Sequence, residues 1–520
     1  MSHRLLRILL LLMSAVLAAC ASLPSPVERS ASQARTDVAD TRLAAVATAS
    51  VDARAPHLSG LRLLPAGDQA FEARIALARA AEKSIDVQYY QIADDASGRQ
   101  FLRELRDAAD RGVRVRVLVD DLQAAGQDAL LAGFASHPGI EVRMFNPLAV
   151  RDGSVGRRVF FSMNEFSRIN RRMHNKLFVA DSAIAISGGR NIADEYFGRS
   201  EPANFIDMDM LSAGPVVAEM AAVFDAYWNS PHAYPIEDLA TGISTEAARW
   251  HFYKVTTAAK ALDAMVTERD SLDQSAIGPQ LAAGRIQMQM AAVRVVADSP
   301  RKADADNESL ADGVVMNGNL DLMQSAHSEV LIASPYFVPS RRTMDVLQQA
   351  ADHQVHVSIM TNSLATTDEP LAHFGYARYR QALLERRVAL YELMPDDDEH
   401  EAHADGPRGS LGRLHAKLAV VDRRWLSIGS MNMDRRSAHS NTEMSLIVDS
   451  PVLAAQVVGL LYNDRLPRSY QVRATPSRQG IEWVSQRGDA EVVLNKEPNA
   501  TAARRIRLQM LSAMVDEELL

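Results

Sequence analysis

The chain has 520 residues, of which 47% are hydrophobic and 23% are charged, and its formal net charge is -9. This composition is typical of a globular protein with two or three domains, and it excludes a disordered or fibrous chain. An acidic protein is a poor general binder of nucleic acid, so we expect no nucleic-acid partner. Cys20 is the only cysteine, which excludes disulfide bonds within the chain.

The N-terminus has the pattern of a secretory signal. Arg4 and Arg7 lie beside a short apolar stretch, residues 8–16, and small residues follow before Cys20. A basic start, a short hydrophobic core and a small-residue cleavage site predict a signal peptide over residues 1–19. No internal run approaches the length of a membrane-spanning helix.

The sequence LAAC, which ends at Cys20, resembles a bacterial lipobox. The resemblance implies that Cys20 becomes the lipidated first residue, and a plain cleaved signal is the alternative. Ala21 rather than Asp follows, which by resemblance to Gram-negative lipoproteins implies the periplasmic side of the envelope and favours the outer membrane over the inner one. Residues 20–57, rich in Ala, Ser and Thr, are then predicted to be a lipidated tether to the membrane surface.

The first globular region, predicted as a lobe over residues 58–235, alternates helices with strands. Such alternation predicts an α/β fold with a largely parallel sheet. The predicted helices are Phe71–Ala81, Gly98–Arg111 and one near Ala129, and the predicted strands are Ser84–Gln91, Val113–Val119 and Ile140–Phe145.

A motif follows in this region, where residues 174–191 read HNKLFVADSAIAISGGRN. The apolar run KLFVAD predicts a buried strand, on which His174 and Lys176 project to the same side. Asp181 falls in the turn before a second strand. It either takes part in the chemistry or binds turn amides.

The second half repeats this order, after a predicted helical connector over residues 236–290. We predict a second lobe over residues 291–475 and a C-terminal tail over residues 476–520. Because the whole pattern recurs, the repeat is one of domains rather than of motifs alone. The predicted helices are residues 320–327, 341–352 and 373–386, and the predicted strands are residues 330–336, 355–360 and 388–393.

The second lobe carries a matching motif, HAKLAVVDRRWLSIGSMN, at residues 415–432. Both copies fit H-x-K-x4-D-x6-G-[GS]-x-N, within motif regions 169–196 and 410–437. Two identical sets of polar residues predict one active site assembled from two halves. The equivalent residues are His174 and His415, Lys176 and Lys417, Asp181 and Asp422, and Asn191 and Asn432, whereas Ser430 corresponds to Gly189.

An acidic residue follows each motif at the same distance from a proline. Asp207 lies eight positions before Pro215, and Glu443 lies eight positions before Pro451. From this register we predict that each carboxylate accepts a hydrogen bond from a catalytic imidazole and fixes its tautomer.

These residue types suit a phosphodiester. One imidazole can attack phosphorus and form a phosphohistidine, while the other protonates the leaving alcohol and later deprotonates the incoming one. Two lysines and two asparagines can hold the non-bridging oxygens, and Ser430 adds a hydroxyl. We expect no metal or other cofactor, because the lysines supply the positive charge.

The motifs are the signature of the phospholipase D superfamily, and the chain resembles its cardiolipin synthase branch over roughly residues 60–520. The similarity is greatest to C-type members, which implies two lobes packed face to face around one site. It also implies that His174 is the nucleophile and His415 the general acid. The phrases that carry the resemblance are SIDVQYYQI, RGVRVRVLVDD, RRMHNKLFVADSAIAISGGRNIADEYF, SPYFVP, TNSLATTDEP and GSMNMDRRSAHSNTE.

The resemblance implies transfer of a phosphatidyl group between phospholipids to make cardiolipin or a related lipid. Phosphatidylglycerol and phosphatidylethanolamine are the expected substrates. The alternative is a hydrolase that uses water instead of an alcohol, either a phospholipase D or, less favoured by the acidic composition, a nuclease. A lipid-binding scaffold without activity is a third hypothesis, which two intact motifs disfavour.

Overall fold

The structure is a computed structural model that describes most of the chain. The predicted signal peptide, Cys20, the acidic sequence that contains His400 and His403, and the basic C-terminal sequence lie outside the described residues. The described residues are 23, 29–151, 153–162, 165–258, 266–304, 313–395, 410–477, 480–487 and 490–498.

Twenty strands are described. In the first half they are β1 (Ser59–Leu64), β2 (Ser84–Tyr89), β3 (Arg114–Asp120), β4 (Ile140–Phe145), β5 (Leu177–Ala180), β6 (Ile184–Gly188), β7 (Ala203–Ile206), β8 (Asp209–Ala213) and β9 (Ala233–Pro235). In the second half they are β10 (Gln289–Ala297), β11 (Glu329–Ala333), β12 (His356–Asn362), β13 (Ala389–Leu393), β14 (Leu411–Leu414), β15 (Leu418–Val421), β16 (Trp425–Gly429), β17 (Met444–Asp449), β18 (Ser469–Ala474), β19 (Ile481–Arg487) and β20 (Ala490–Leu494).

Sixteen α-helices are described. Up to the connector they are α1 (Arg42–Ser50), α2 (Gly67–Ala80), α3 (Ala96–Asp110), α4 (Asp128–Ala135), α5 (Val155–Phe161), α6 (Phe166–Ile169), α7 (Val216–Trp228), α8 (Ile236–Leu239), α9 (Thr245–Ala258) and α10 (Ile277–Ala282). In the second half they are α11 (Val314–Gln324), α12 (Arg341–Asp352), α13 (Pro370–Ala377), α14 (Arg380–Glu385), α15 (Arg435–His439) and α16 (Pro451–Leu460).

The two lobes contain sheets with the same strand order. The first runs β1-β8-β6-β5-β2-β3-β4, and the second runs β10-β17-β16-β15-β11-β12-β13. Strands β1 and β10 then pair with each other in antiparallel fashion and join the sheets. The predicted mixed α/β fold with two pseudo-symmetric lobes is confirmed.

Parallel pairing is less extensive than the sequence predicts. Only β2, β3 and β4 pair in parallel in the first sheet, and only β11, β12 and β13 do so in the second. The expectation of a largely parallel sheet is therefore wrong. The reason is that each motif forms a tight antiparallel hairpin. Its turn places two successive residues at positive φ (Asp181 and Ser182, or Asp422 and Arg423), as type I′ turns do.

Each lobe has its own hydrophobic cluster, and a further cluster spans both lobes. Buried side chains of β1 and of helix α7 in the first lobe form a cluster with those of β17 and helix α16 in the second. Phe224 and Trp228 of α7 are fully buried in it. Burial of this size fixes the two motifs relative to each other.

Part of the predicted tether is folded. Helix α1 buries Leu43 and Val46 against the first lobe, and Arg29 donates hydrogen bonds to the carbonyls of Pro231 and Ala233. Over these residues the expectation of a free tether is wrong. The predicted tail contains strands β19 and β20, which extend the second sheet.

Within the described residues, no helix has the length and apolar character needed to cross a bilayer. Helix α9 of the predicted connector packs instead on α4, where Phe252 meets Phe134 with ring centroids 5.4 Å apart.

Candidate active site

Each motif histidine follows a short backbone pairing with the opposite lobe. Met173 forms a parallel bridge with Thr442, and the His174 N–H donates to the Thr442 carbonyl at 2.9 Å. In the other half β14 pairs in parallel with β7, and the His415 N–H donates to the Ile206 carbonyl at 2.8 Å. Both histidines are thereby placed at the contact between the lobes.

The next residue along each pairing partner is the predicted carboxylate. Glu443 follows Thr442, and its two oxygens each lie 3.0 Å from Nδ1 of His174. Asp207 follows Ile206, and its Oδ2 lies 2.6 Å from Nδ1 of His415. Each carboxylate therefore holds the histidine of the other lobe. The sequence register predicts both partners, and the structure shows that they are exchanged.

These hydrogen bonds fix the tautomer of both rings. Each Nδ1–H donates to a carboxylate, so Nε2 is left with its lone pair. Burial raises the pKa of Asp207 and Glu443, but the facing histidine and lysine outweigh burial and lower it, to about 2 for Asp207. Both carboxylates are therefore charged at neutral pH.

Burial also favours the neutral form of the histidines. It lowers the pKa of His174 to about 4, although Glu443 opposes the shift. Burial and the Lys417 charge lower the pKa of His415, whereas Asp207 and, more weakly, Asp368 raise it. An anionic phosphodiester next to the rings would raise both pKa values, because it favours the cation.

The two lysines lie behind the histidines and are almost completely buried. Lys176 Nζ donates to the His174 carbonyl at 2.7 Å, and Lys417 donates to the His415 carbonyl. Burial lowers the pKa of Lys176 to about 7 and that of Lys417 to about 8. Both can carry a proton at neutral pH and stabilise negative charge on a phosphoryl group.

The residue types at Gly189 and Ser430 differ because the neighbouring carboxylates, Asp207 and Glu443, differ in length. Ser430 donates its hydroxyl hydrogen to Glu443. At Gly189 an added Cβ would lie 2.1 Å from Oδ1 of Asp207, so this position excludes a side chain. The shorter aspartate stays close to its own backbone and accepts from the Met208 N–H at 2.7 Å. Ser430 thus acts on a carboxylate, rather than directly on the substrate.

The histidines open onto one cavity of about 530 Å³ between the lobes. Asn191 and Asn432 also line it. The Asn191 side-chain amide donates to the Tyr196 hydroxyl at 2.9 Å, and the Asn432 side-chain oxygen meets no donor among the described residues. Six of the predicted residues, the two histidines, the two asparagines and the two carboxylates behind the rings, are thus brought together at one place.

Three carboxyl groups that influence one another line the cavity, and we call them the acidic wall: Glu195, Asp368 and Glu369. Burial, and then the Asp368 charge, raise the pKa of Glu195 and of Glu369. Tyr336 donates its hydroxyl hydrogen to Asp368 at 2.6 Å. Because the Asp368 charge acts on His415, the acidic wall lies on the His415 side.

Comparison with known proteins agrees with this geometry. Residues 75–228 and 320–463 match the family described as "Cardiolipin synthase, PLD-like domain". Cardiolipin synthase C of Escherichia coli K12 is 36% identical over 477 residues, which cover 89% of this chain and 97% of the relative. The chain belongs to this family.

Other relatives are more distant. Cardiolipin synthase A of Pseudomonas fluorescens is 26% identical over 81% of this chain and 71% of its own. The crystal structure of phosphatidylserine synthase from Haemophilus influenzae superposes with a TM-score of 0.57 over 91% of this chain and 96% of its own, at 14% identity. That likeness establishes a common fold. The phospholipase D superfamily membership predicted from the motifs is confirmed.

Asp181 and Asp422 do not take part in the site. Asp181 accepts hydrogen bonds from the backbone N–H groups of Glu82, Lys83 and Ser84, which begin β2. Asp422 accepts likewise from residues 327–329, at the start of β11. Burial raises the pKa of Asp422, but these amides hold it at about 2. The catalytic alternative for these two motif residues is wrong, because their charge is used to fix the strands.

Sequence reasoning missed the aromatic rings around the histidines. Tyr90 packs against His174 with ring centroids 5.2 Å apart, while Tyr196 and Phe205 pack against His415 at 5.1 and 4.7 Å. Tyr90 directly follows β2, at the carboxyl end of a parallel strand, where ligand-binding residues are common. This position, directly after a predicted strand, is the feature of the sequence that could have identified Tyr90 as a site residue.

Several arginines precede the first motif in the sequence, among them Arg158 and Arg172. The structure uses Arg158 and Arg172 in buried ion pairs with Asp128 and Asp120. It places Arg436 in the cavity instead. Arginines that are close in sequence therefore do not form one surface here, because their partners come from distant parts of the chain.

Proposed function

We propose that this protein transfers a phosphatidyl group from one phospholipid to an alcohol through a phosphohistidine, and thereby makes cardiolipin or a related lipid. The observation that carries the proposal is the pair of exchanged histidine–carboxylate contacts facing one cavity. A phosphoryl transfer through a phosphohistidine has two displacements at phosphorus, and a site with two imidazoles supplies a nucleophile and an acid–base group for both.

In the first displacement, Nε2 of His174 attacks phosphorus. The bond between phosphorus and the leaving alcohol oxygen breaks. His415 gives that oxygen a proton from Nε2, which it carries because the bound anionic phosphodiester raises its pKa. Glu443 stabilises the positive charge that develops on the His174 ring. Lys176 and Lys417 stabilise the negative charge on the non-bridging oxygens.

The second displacement reverses these roles. His415, now neutral, takes the proton of an acceptor hydroxyl as its oxygen attacks the phosphohistidine. The bond between phosphorus and His174 breaks, and the enzyme returns to its starting state. Water in place of the alcohol would give phosphatidic acid, so hydrolysis is the second candidate function.

The acidic wall supports an alcohol with hydrogen-bond donors or a positive charge. In an in-line displacement the leaving alcohol lies opposite His174, on the His415 side, where Asp368 and Glu195 stand. An ethanolamine ammonium group would meet carboxylates there, and the hydroxyls of a phosphatidylglycerol headgroup could donate to the same oxygens. Phosphatidylethanolamine as donor and phosphatidylglycerol as acceptor fit this arrangement.

We also propose that the protein is anchored by lipid on Cys20 at the periplasmic side of the envelope, in the outer rather than the inner membrane. The lipobox resemblance supports this location. Cys20→Ala should release the protein into the soluble fraction after cell disruption. Retention in the membrane fraction would contradict lipid as the sole anchor.

The deciding experiment incubates purified protein with phosphatidylethanolamine and phosphatidylglycerol, together and separately, and identifies products by mass spectrometry. Cardiolipin together with free ethanolamine supports transfer. Phosphatidic acid without cardiolipin would replace transfer by hydrolysis. His174→Ala protein, prepared in parallel, controls for contaminating activity.

A further inference from the structure

The residue before each catalytic histidine is tied to the end of a parallel strand of its own lobe. In the second lobe this strand is β12, which ends at Asn362. Its Oδ1 accepts from the Leu414 N–H at 2.9 Å, and its Nδ2 donates to the Leu414 carbonyl at 2.8 Å. Leu414 directly precedes His415. The side chain of Asn362 therefore fixes the peptide plane from which the His415 ring projects.

The first lobe has an equivalent contact with different chemistry. The equivalent strand β3 ends at Asp120, whose Oδ2 accepts from the Met173 N–H at 2.9 Å. Met173 directly precedes His174. The same carboxylate binds the guanidinium of Arg172 at 2.7–3.0 Å. In the first lobe the Asp120–Arg172 ion pair thus holds the residue before the histidine, and in the second lobe the neutral amide of Asn362 does so.

Neither side chain lines the cavity, and both are buried, with 1% of Asn362 and 0% of Asp120 exposed. They touch no substrate, and they are not part of either motif. An effect of the uncharged Asn362 side chain on the reaction passes through the His415 backbone, whereas the Asp120 charge also acts on Lys176. A displacement of about 1 Å at a reacting group can cost on the order of a hundredfold in rate.

We propose that Asn362 is a positioning residue for His415 and that Asp120 is a positioning residue for His174. The proposal rests on the two-displacement reaction above, in which the histidines have different tasks. A misplaced His415 cannot protonate the leaving alcohol. A misplaced His174 cannot attack phosphorus, whatever the leaving group.

A change of leaving group separates these two defects. Ethanolamine needs a proton to leave from phosphatidylethanolamine, whereas p-nitrophenol leaves from a phosphatidyl p-nitrophenyl ester as an anion. The measurement is the first turnover, because the second displacement needs His415 with either substrate. Stopped-flow absorbance gives the p-nitrophenolate burst, and rapid quench gives the release of ethanolamine.

For Asn362→Ala and Asn362→Asp we expect ethanolamine release to fall by about ten- to a hundredfold. The burst of p-nitrophenolate should stay within about threefold of the wild-type rate. Asn362→Asp tests the contact more finely, since it keeps the size of the side chain but loses the donor to the Leu414 carbonyl. For Asp120→Asn both releases should fall by the same factor.

Thr361→Val is the matched control. Thr361 is buried on the same strand and donates to the Pro335 carbonyl at 3.1 Å, so its loss disturbs β12 without touching Leu414. Both releases should be unchanged in this variant. Thermal unfolding of all variants shows which ones fold. If Asp120→Asn does not fold, Asp120→Glu, which keeps a negative charge beside Arg172, takes its place.

Equal loss with both leaving groups in the Asn362 variants, or no loss with either, would overturn the proposal. Failure of the proposed function looks different. In that case the wild-type protein itself would release neither ethanolamine nor p-nitrophenolate.

Discussion

The two lobes place their catalytic histidines by equivalent backbone pairings, but they supply different carboxylates. The first lobe combines Gly189 with Asp207, and the second combines Ser430 with Glu443. Each carboxylate serves the histidine of the opposite lobe. The comparison shows that neither lobe contains a complete histidine–carboxylate pair, so the catalytic unit is the contact between lobes rather than the motif.

The difference also shows how a glycine and a serine can occupy equivalent positions. A glutamate reaches farther from its strand and leaves room for the Ser430 side chain, which then donates to it. An aspartate fills that room itself. The predictions that follow test this comparison, beginning with the largest expected effect.

The histidines should be individually essential but for different steps. His174→Ala and His415→Ala should each lower turnover of phosphatidylethanolamine by about 10³-fold or more, as seen for residues that act as a unit. With a phosphatidyl p-nitrophenyl ester, His415→Ala should still form a phosphohistidine that acid-free gel analysis detects, and His174→Ala should not. A phosphohistidine in the His174→Ala protein would reverse the assignment of the nucleophile.

Replacing Gly189 and Asp207 of the first lobe by the serine and glutamate of the second should show whether these two positions are coupled. Gly189→Ser should lower kcat by about ten- to a hundredfold, because its side chain displaces Asp207 and the His415 ring loses its partner. Adding Asp207→Glu should restore most of the loss, since the pair then matches that of the second lobe.

The control for this exchange is Ser430→Gly, which removes a hydroxyl without a clash and should cost less than about tenfold. The two positions would not be coupled if the Gly189→Ser/Asp207→Glu variant lost kcat by the product of the losses measured for Gly189→Ser and Asp207→Glu alone.

Much of this arrangement could be predicted from the sequence, because it is local. The apolar runs predict the motif strands, and the offset to Pro215 and Pro451 predicts which carboxylates meet the histidines. The exchange between lobes could not be predicted, since it depends on bridges such as Met173 with Thr442 that join segments hundreds of residues apart.

The roles of Asp181 and Asp422 were open for a similar reason. A turn aspartate looks the same in sequence whether it faces a substrate or the N–H groups of a strand that begins about a hundred residues earlier. The prediction of a largely parallel sheet was wrong because helices alternate with parallel strands only over three strands of each lobe. The hairpins that carry the motifs pair in the other direction.

The lysines should set the alkaline limit of activity. Burial lowers the pKa of Lys176 to about 7 and that of Lys417 to about 8, and only the protonated forms stabilise phosphoryl oxygens. We expect kcat/KM to fall about tenfold per pH unit between about pH 7 and 8, where one lysine loses its proton, and about a hundredfold per unit above pH 8, where both do. Lys176→Arg should move the limit upward, because arginine stays protonated.

Stability should change in the opposite direction over the same range. An unfolded lysine titrates near 10.5, so between about pH 7 and 10.5 the unfolded state binds more protons than the folded one, and the free energy of unfolding contributed by Lys176 rises with pH. Urea unfolding of wild-type protein and Lys176→Met distinguishes the two effects. A parallel loss of activity and stability would mean that alkaline inactivation is unfolding.

The smallest expected effect concerns the acidic wall. Asp368→Asn removes a charge from a half-buried position, and an ion pair there is worth about 1 kcal/mol. The KM for phosphatidylethanolamine as donor should therefore rise about fivefold with little change in kcat. The effect should be weaker when phosphatidylglycerol is the donor, because its headgroup has no ammonium. Tyr336→Phe, which removes a cavity hydroxyl and its hydrogen bond to Asp368 but keeps the carboxylate charge, is the matched control. An equal rise in KM for both donors would show that the wall shapes the cavity without recognising the charge of the leaving alcohol.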